Sequence, residues 1–509
     1  MKDAAIQTMS YTLDASQNRQ DFLSYPNPID LREIQGIVAR GYGNLPAACY
    51  GLFHIKTPDL ARPTLIELQS KLTYAEERPP LLAINLAWTY RGLRQMGLDE
   101  NIADQFSNEF RSGIDTNHKR RILGDEGRNS PEFWDWGGPN SSPIDLLLLC
   151  YAVDQASLEH EYQNLKQTLA ESGIEEVRRL DTQVLPDNKE HFGFRDGIAQ
   201  PFLKEFDRKG RDLVAVPLGE ILLGYPNGYD RYTQRPLIAA ELDTASQLPP
   251  DPEGSPTRDL GKNGTYLVFR QMSQDIPAFW RYLQEQTSSS EEAVRLASKM
   301  VGRWPSGAPL VLSPEEDNTA IKDKDAFTYH DTDRQGFKCP LGAHIRRTHP
   351  RDSLQPEPGS EKSIAFSNRH RLLRRGRSYG APFHPSVNPT EYLKQLSGTA
   401  YPEESPEKSS EDRGLHFICI NANIGRQFEF VQHTWANNPN FNGLYQDPDP
   451  IIGSRSAYGL PQNRFTQQQP PVRCQFSGMP EFVGIRGGGY FFLPSRSALA
   501  FILSRGASA

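Results

Sequence analysis

The sequence predicts an α+β protein made of two ferredoxin-like domains, each a β-α-β-β-α-β module with an antiparallel sheet and peripheral helices. Two observations predict this fold. A short apolar strand followed by an amphipathic helix occurs four times, twice in each half of the chain. The chain has 509 residues, of which 37% are hydrophobic, so it can form two cores. We place the domains at residues 28–200 and 201–509, after a loosely ordered arm at 1–27.

The two N-terminal units begin with strands at residues 48–54 and 145–151. In the segment after each strand, apolar residues recur at helical spacing and so share one helix face. These residues are Leu65, Leu68 and Leu72 after the first strand, and Leu158, Tyr162, Leu165 and Leu169 after the second.

Residues 81–98, between these two units, show a similar spacing. We therefore predict a further helix that packs in the core and ends at Gly97. Its apolar face would consist of Leu82, Leu86, Tyr90 and Leu93.

The two C-terminal units begin with strands at residues 265–270 and 415–420. Asp275, followed by Ile276 and Pro277, is a helix start signal after the first of these strands. The helix predicted after the second strand has its apolar face at Phe428, Val431 and Trp435.

The composition argues against several classes of protein. A formal net charge of -7 disfavours general nucleic-acid binding. No apolar run approaches the roughly 20 residues that cross a bilayer. Residues 1–7 lack the apolar core of an export signal, so we expect a cytoplasmic protein without a membrane partner. The five cysteines include no C-x-x-C pair, which argues against a disulfide scaffold or a zinc ribbon.

Residues 190–201 place one carboxylate, Asp196, in a segment with neither helical nor strand periodicity. Gly193 and Gly197 let the backbone bend and let a flat group approach, while Phe194 would keep water from the carboxylate. Asp196 and Gly197 are also typical of a simple turn, and that alternative stays open here.

Two later segments carry histidine and arginine. His344 lies between small residues and the pair Arg346 and Arg347; a neutral imidazole there admits a large planar ligand, and arginines suit carboxylates. The alternative is an ordinary core or surface histidine, and His349 is a competing candidate.

The second segment, residues 369–380, is a basic run that contains Arg374. It also has the alternative interpretation of a solvated face or a phosphate or nucleic-acid patch. Leu372 and Leu373 interrupt it, which predicts that one neighbouring arginine is buried and needs an anionic partner.

Together these segments resemble the dye-decolorizing peroxidase family, in its longer bacterial and fungal-like branch. The similarity runs from about residue 80 onward. Its motifs are GFRDGIAQP (193–201), CPLGAHIRRTHPR (339–351), RLLRRGRSYG (371–380), the segment 414–438, DPIIG (449–453) and RGGGYFFLPS (486–495), with residues 85–93 and 302–307.

The resemblance implies a dimeric α+β barrel-like fold that holds haem b in its C-terminal domain. His344 would be the axial ligand of the iron, and Asp449 would hydrogen-bond its imidazole. On the opposite face of the haem, Asp196 and Arg374 would be catalytic. The remaining cofactor contacts would come from Phe194 and Gly197, from Leu415 and Phe417 in the distal pocket, and from Arg346 or Arg347 at the haem propionates.

The implied activity is reduction of hydrogen peroxide, with one-electron oxidation of dyes or small aromatic compounds through an oxoferryl porphyrin radical. The alternative is a haem-binding or iron-releasing protein. An oligomer is compatible with the sequence. Because Leu415 and Phe417 would keep bulky dyes from the haem, Trp435 and Tyr379 are candidate surface radical sites, although helical spacing favours core packing for Trp435.

Overall fold

The computed structural model describes residues 29–203, 215–398, 412–455 and 463–505. The arm predicted at residues 1–27 lies outside the described residues. The strands are β1 Ala47–Ile55, β2 Leu82–Trp88, β3 Leu146–Ala152, β4 Ile174–Asp181, β5 Leu237–Ala239, β6 Thr257–Asp259, β7 Thr265–Gln274, β8 Leu373–Arg374, β9 Arg377–Tyr379, β10 Gly414–Asn421, β11 Phe465–Gln467, β12 Cys474–Phe476 and β13 Val483–Leu493.

Nine of these strands form one antiparallel sheet in the order β4-β1-β3-β2-β13-β7-β10-β8, with β9 also beside β10. Strands β1 to β4 are one ferredoxin-like module. Strands β7, β8 with β9, β10 and β13 repeat the same order of first, second, third and fourth strand in a second module. The predicted fold class is therefore confirmed. The predicted boundary at residue 200 falls between the modules and stays a prediction.

The α-helices cover the sheet and connect its strands. They are α1 Gly36–Ala39, α2 Pro58–Lys71, α3 Tyr90–Gln95, α4 Glu100–Ala103, α5 Asn108–Ser112, α6 Asn117–Leu123, α7 Gln155–Glu171, α8 Ile276–Glu285, α9 Ser290–Val301, α10 His330–Asp333, α11 His344–Thr348, α12 Glu361–Asn368, α13 Pro389–Gly398 and α14 Arg496–Ser504. The helix predicted after β10 is wound as π-helix at Gly425–Glu429 and Val431–Ala436.

All four predicted strand–helix units are present. The helix start signal at Asp275 is confirmed, because its carboxylate accepts a hydrogen bond from the Ala278 N–H (2.9 Å) at the start of α8. Asp154 caps α7 in the same way through the Ser157 N–H (2.7 Å).

The helix predicted at residues 81–98 is wrong over its first half. Residues 82–88 form β2, and only 90–95 are helical. Six of the seven residues of β2 are buried because both faces of the sheet are covered, so the strand is a continuous apolar run without alternation. Such a run matches helical spacing equally well, and the helix begins only where the Thr89 hydroxyl accepts from the Gly92 N–H (3.0 Å).

The second module closes onto the first through β13 and α14. Phe492 of β13 pairs with Trp88 of β2, while the rest of β13 pairs with β7. The Arg62 guanidinium of α2 donates to the Leu503 carbonyl of α14 (2.9 Å) across 441 residues of sequence. Within the described residues, no helix is both long and apolar enough to span a membrane.

Candidate functional site

One cavity in the second module collects most of the predicted site residues. It lies between the faces of β7 and β10, helix α11, and the loop that follows residue 189. Leu415 and Phe417 alternate with His416 along β10, so both point into it. The predicted residues in its wall are Phe194, Asp196, His344, Arg374, Leu415 and Phe417.

A tight turn delivers Asp196 to this cavity. The Glu190 N–H donates to the Phe194 carbonyl (2.9 Å), and the Gly193 N–H donates to the Glu190 carbonyl (2.9 Å). Gly193 has a φ of 97°, which an L side chain rarely adopts. The Asp196 N–H then donates to the Asn188 carbonyl (3.0 Å). The turn and the site interpretations of this segment therefore describe the same structure.

Asp196 faces Arg374, which lies at the end of β8. An Arg374 Nη1 hydrogen donates to Asp196 Oδ1 (3.0 Å), and the Gly197 N–H donates to the same oxygen (2.6 Å). The Gln200 side chain bonds both the N–H and the carbonyl of Arg374, which ties the loop to the sheet. Burial alone would raise the pKa of Asp196, but Arg374, the Gly197 N–H and the nearby His344 together hold it below its usual value.

His344 is the first residue of α11 and is backed by Asp449. Its Nδ1 lies 3.0 Å from Asp449 Oδ2, and Asp449 is fully buried. The Asp449 carboxylate also accepts from the N–H groups of Ile451 (2.8 Å) and Ile452 (3.0 Å). Burial raises the pKa of Asp449, but His344, Arg347 and the backbone lower it further than burial raises it. An ionised Asp449 keeps the proton on Nδ1, which leaves the Nε2 lone pair for a metal.

Arg346 and Arg347 do not reach the cavity, contrary to the expectation that one binds a haem propionate. They lie on helix α11, and both are fully buried. Arg346 donates to Asp333 Oδ2 (3.0 Å) and to the Cys339 carbonyl (2.8 Å). Arg347 donates to the carbonyls of Trp435 (2.7 Å) and Asn438 (3.0 Å). Both guanidinium groups therefore anchor α11 to its surroundings.

Other basic residues line the cavity at what we call its cationic end: Arg303, Arg351 and Arg371, with the His349 ring beside them. Arg303 and Arg351 share one carboxylate, Asp325. Arg371 has no carboxylate partner in the described part of the chain, and its Nη1 contacts the His349 ring. Burial and these arginines hold the pKa of His349 well below its usual range, so its ring is neutral.

The sequence contained partial signals for this end of the cavity. His349 is a competing candidate to His344 in the sequence, and Leu372 and Leu373 predict that one neighbouring arginine is buried. Arg371 is that arginine, with 5% of its surface exposed.

The cavity fits haem b. Its walls are mainly apolar between the charged groups, and one backed imidazole faces it. The Nη2 of Arg371 is buried and without a hydrogen-bond partner in the described structure, which marks a place for an anionic group such as a haem propionate. His344 on α11 would ligate the iron, and the carboxylates of the macrocycle would find basic residues at the cationic end.

The two candidate radical sites are both buried. Trp435 is 3% exposed and packs against the rings of Phe430 and His370. Tyr379 is 6% exposed and stacks on His416, with its hydroxyl 3.3 Å from Asp412. A bulky dye therefore has no direct contact with either ring in this conformation.

A second carboxylate, Glu190, also lines the cavity. It accepts from the N–H groups of Phe192 (2.9 Å) and Phe194 (3.0 Å) and from the Gln274 amide (2.5 Å). Burial, opposed by these bonds, raises the pKa of Glu190 from 4.5 to about 7. Nothing in the sequence indicates that Glu190 is buried, so no local signal marks it as a candidate site residue.

This pKa predicts a specific pH dependence of stability. Because the folded state keeps the Glu190 proton up to a higher pH than the unfolded state, stability is lost as the pH rises from 4.5 through 7. We expect the free energy of unfolding of the wild type to fall by about 3 kcal/mol relative to Glu190→Gln over this range. Urea unfolding of both proteins at pH 4.5 and 8 measures the difference between their free energies of unfolding. If this difference were the same at both pH values, Glu190 would not titrate between them.

Comparisons with known proteins show the family and the fold to which the chain is similar. The family model described as the DyP dimeric alpha+beta barrel domain matches residues 58–186. Peroxidase 2 of Mycetinis scorodonius is 31% identical over 87% of this chain and 80% of its own length. The dye-decolorizing peroxidase msp1 of the same organism is 31% identical over 84% and 77%.

A solved structure extends the comparison to the whole fold. The fungal DyP-type peroxidase of Auricularia auricula-judae superposes with a TM-score of 0.74 at 26% identity, covering 94% of this chain and 100% of that one. The matched region includes both ferredoxin-like modules.

Proposed function

Since this chain belongs to the dye-decolorizing peroxidase family and is a peroxidase, we propose that it reduces hydrogen peroxide with electrons taken one at a time from small aromatic compounds or dyes. The observation that carries this proposal is the pair Asp196 and Arg374, 3.0 Å apart in the cavity that His344 also lines. A proton-transferring group and a fixed positive charge are what cleavage of an O–O bond requires of a protein.

We infer that the cavity would hold haem b, with His344 ligating its iron and the cationic end binding its propionates. When bound, haem would supply the iron at which peroxide is cleaved and which then takes electrons from the donors. Asp449 accepts a hydrogen bond from the Nδ1–H of His344, which fixes the ring and makes its Nε2 more basic.

Asp196 and Arg374 carry out the proton transfer and the charge stabilisation. Asp196, ionised because of Arg374, accepts a proton from one oxygen of peroxide and returns it to the other, which leaves as water. Arg374 stays protonated and stabilises the negative charge that develops on the leaving oxygen. Leu415 and Phe417 narrow the space over Asp196 and exclude larger molecules, so donors have to give up their electrons from outside this pocket.

A haem-binding or iron-releasing protein is the second candidate. Such a protein would use His344 and the cationic end but would have no need of the Asp196–Arg374 pair. That pair favours the peroxidase.

One absorption experiment separates these functions. We expect the purified protein with haem to show a Soret band that shifts on addition of one equivalent of hydrogen peroxide and returns on addition of a phenol. A Soret band that peroxide leaves unchanged would support the haem-binding alternative. A protein that takes up no haem would contradict both.

The cationic end gives a further prediction. Arg371→Gln should raise the rate of haem loss about tenfold, because a charged hydrogen bond to a propionate is removed. Transfer of haem to excess apomyoglobin measures this rate. The matched variant Arg347→Gln should instead lower the free energy of unfolding by about 2 kcal/mol, since it leaves buried carbonyls without donors. Equal rates of haem loss in the two variants would contradict the assignment.

A further inference from the structure

A second cavity, of about 620 Å³, lies next to the haem cavity and shares one residue with it, Arg195. This volume is within the range of small-molecule sites. Its charged residues are Lys189, Arg195 and Lys324, with the carboxylates Asp187 and Asp317. Cations therefore outnumber carboxylates around it by three to two.

The backbone holds Arg195 firmly at the boundary of the two cavities. Its N–H donates to the Pro305 carbonyl (3.1 Å), and it forms an antiparallel bridge with Lys189. The next residue is Asp196, whose own N–H is bonded to the Asn188 carbonyl (3.0 Å). The wall between the cavities is thus only as thick as this loop.

The Arg195 side chain differs from its charged neighbours because its guanidinium has no hydrogen-bond or ion-pair partner in the described part of the chain. Lys189 donates to the Val387 carbonyl (3.2 Å), and Lys324 donates to the Ser306 carbonyl (2.5 Å). The Asp317 carboxylate already accepts from the N–H (3.1 Å) and the hydroxyl of Ser306.

Arg195 and Lys324 also repel each other. Burial first, and then the charge of Arg195, lower the pKa of Lys324. The charge of Asp317, which lines the same cavity, raises the pKa of Lys324, whereas the Arg195 guanidinium has no ion-pair partner in the described residues. Arg195 is therefore the cation that favours an anionic ligand. Arginine has a planar set of donors that fits a carboxylate or a sulfonate at two points.

We propose that the second cavity binds aromatic electron donors that carry a sulfonate or carboxylate group, with Arg195 as the residue that holds the anion. The inference rests on the proposed peroxidase function. It identifies where a donor too large for the haem cavity can sit, one residue away from Asp196. The apolar faces of Val294, Pro305 and Pro389 in the same wall can pack against the aromatic ring.

The overall reaction is H2O2 + 2 ArOH → 2 ArO• + 2 H2O. Each phenolic donor loses one electron and the proton of its O–H bond, and the O–O bond of peroxide accepts the two electrons and two protons. Arg195 takes no part in these transfers. Its role is to lengthen the time that an anionic donor spends beside the haem cavity.

The test compares 2-methoxyphenol with its 5-sulfonate, a neutral and an anionic donor with the same oxidisable group. In the haem-loaded enzyme, Arg195→Gln should raise the ratio of KM for the sulfonate to KM for 2-methoxyphenol about tenfold, both measured in the same variant. Raising the salt concentration should increase the sulfonate KM of the wild type more than that of the variant. Arg195→Lys should recover part of the effect.

A binding measurement that needs no turnover accompanies the kinetics. Calorimetric titration with benzenesulfonate, which is not oxidised, should show a single site in the resting wild type and a dissociation constant about tenfold weaker in Arg195→Gln. Arg78→Gln, at an exposed arginine that lines neither cavity, is the charge-matched control and should behave as the wild type.

The outcomes separate the two proposals. Equal ratios of the two KM values and equal benzenesulfonate affinities in wild type and Arg195→Gln would overturn the donor site while leaving the peroxidase intact. A wild-type enzyme that turns over neither donor would instead overturn the proposed function.

Discussion

His344→Ala is expected to fold but to retain little haem and to lose peroxidase activity by a factor of about a hundred or more. Removing even a residue that supports a metal ligand costs ten- to a hundredfold, and His344 is the ligand itself in our assignment. Its Nδ1 partner Asp449 would also be left buried without the imidazole. The ratio of Soret to protein absorbance and the steady-state rate with a phenol measure the two effects.

The matched control for this variant is His433→Ala, at an exposed histidine outside the cavity. It should keep the wild-type Soret ratio and rate. If His344→Ala kept both as well, the axial ligand would have to be another residue, and His349 would be the first to examine.

Asp196→Asn is expected to keep its haem but to react with hydrogen peroxide about a hundred- to ten-thousandfold more slowly. The amide has the size of the carboxylate but cannot accept a proton from peroxide. Stopped-flow measurement of the second-order rate constant for peroxide gives the ratio directly. Asp59→Asn, an exposed carboxylate on α2, is the control.

The second-order rate constant of the wild type with hydrogen peroxide should also depend on pH. Burial raises the pKa of Asp196, while Arg374 and the Gly197 N–H lower it, and the net pKa lies below its usual value, so the carboxylate stays ionised as the pH falls toward 4. The wild-type rate constant should therefore persist into the acidic range and decline only when the pH falls through that pKa. A rate constant that already declines between pH 7 and 5 would argue against Asp196 as the base.

Much of the fold was predictable because its signals are local. Each strand–helix unit has its apolar spacing within about 25 residues, and Asp275 caps its helix without help from distant parts of the chain. The prediction failed at β2, where burial comes from elements on both faces of the sheet. That burial removes the alternation by which a strand is recognised.

Prediction of the site has the same limit, because contacts between residues far apart in sequence leave no local signal. That Asp196, His344 and Arg374 line one cavity, with Asp449 behind His344, could be anticipated because each stands in a distinctive segment; their roles stay a prediction. Which arginines face the cavity could not be predicted, since the direction of Arg347 depends on the carbonyl of Trp435, 88 residues further along the chain.

The contact of β13 and α14 with the first module has a consequence for how the chain folds during synthesis. Arg62 of α2 hydrogen-bonds Leu503 of α14, and Trp88 of β2 pairs with Phe492 of β13. The first module therefore lacks its contacts with β13 and α14 until residues 483–505 have left the ribosome. Contacts between residues this far apart in sequence form slowly, because the loop between them must be closed first. Until then the first module exposes apolar surface, and a nascent chain at that stage is a substrate for chaperones.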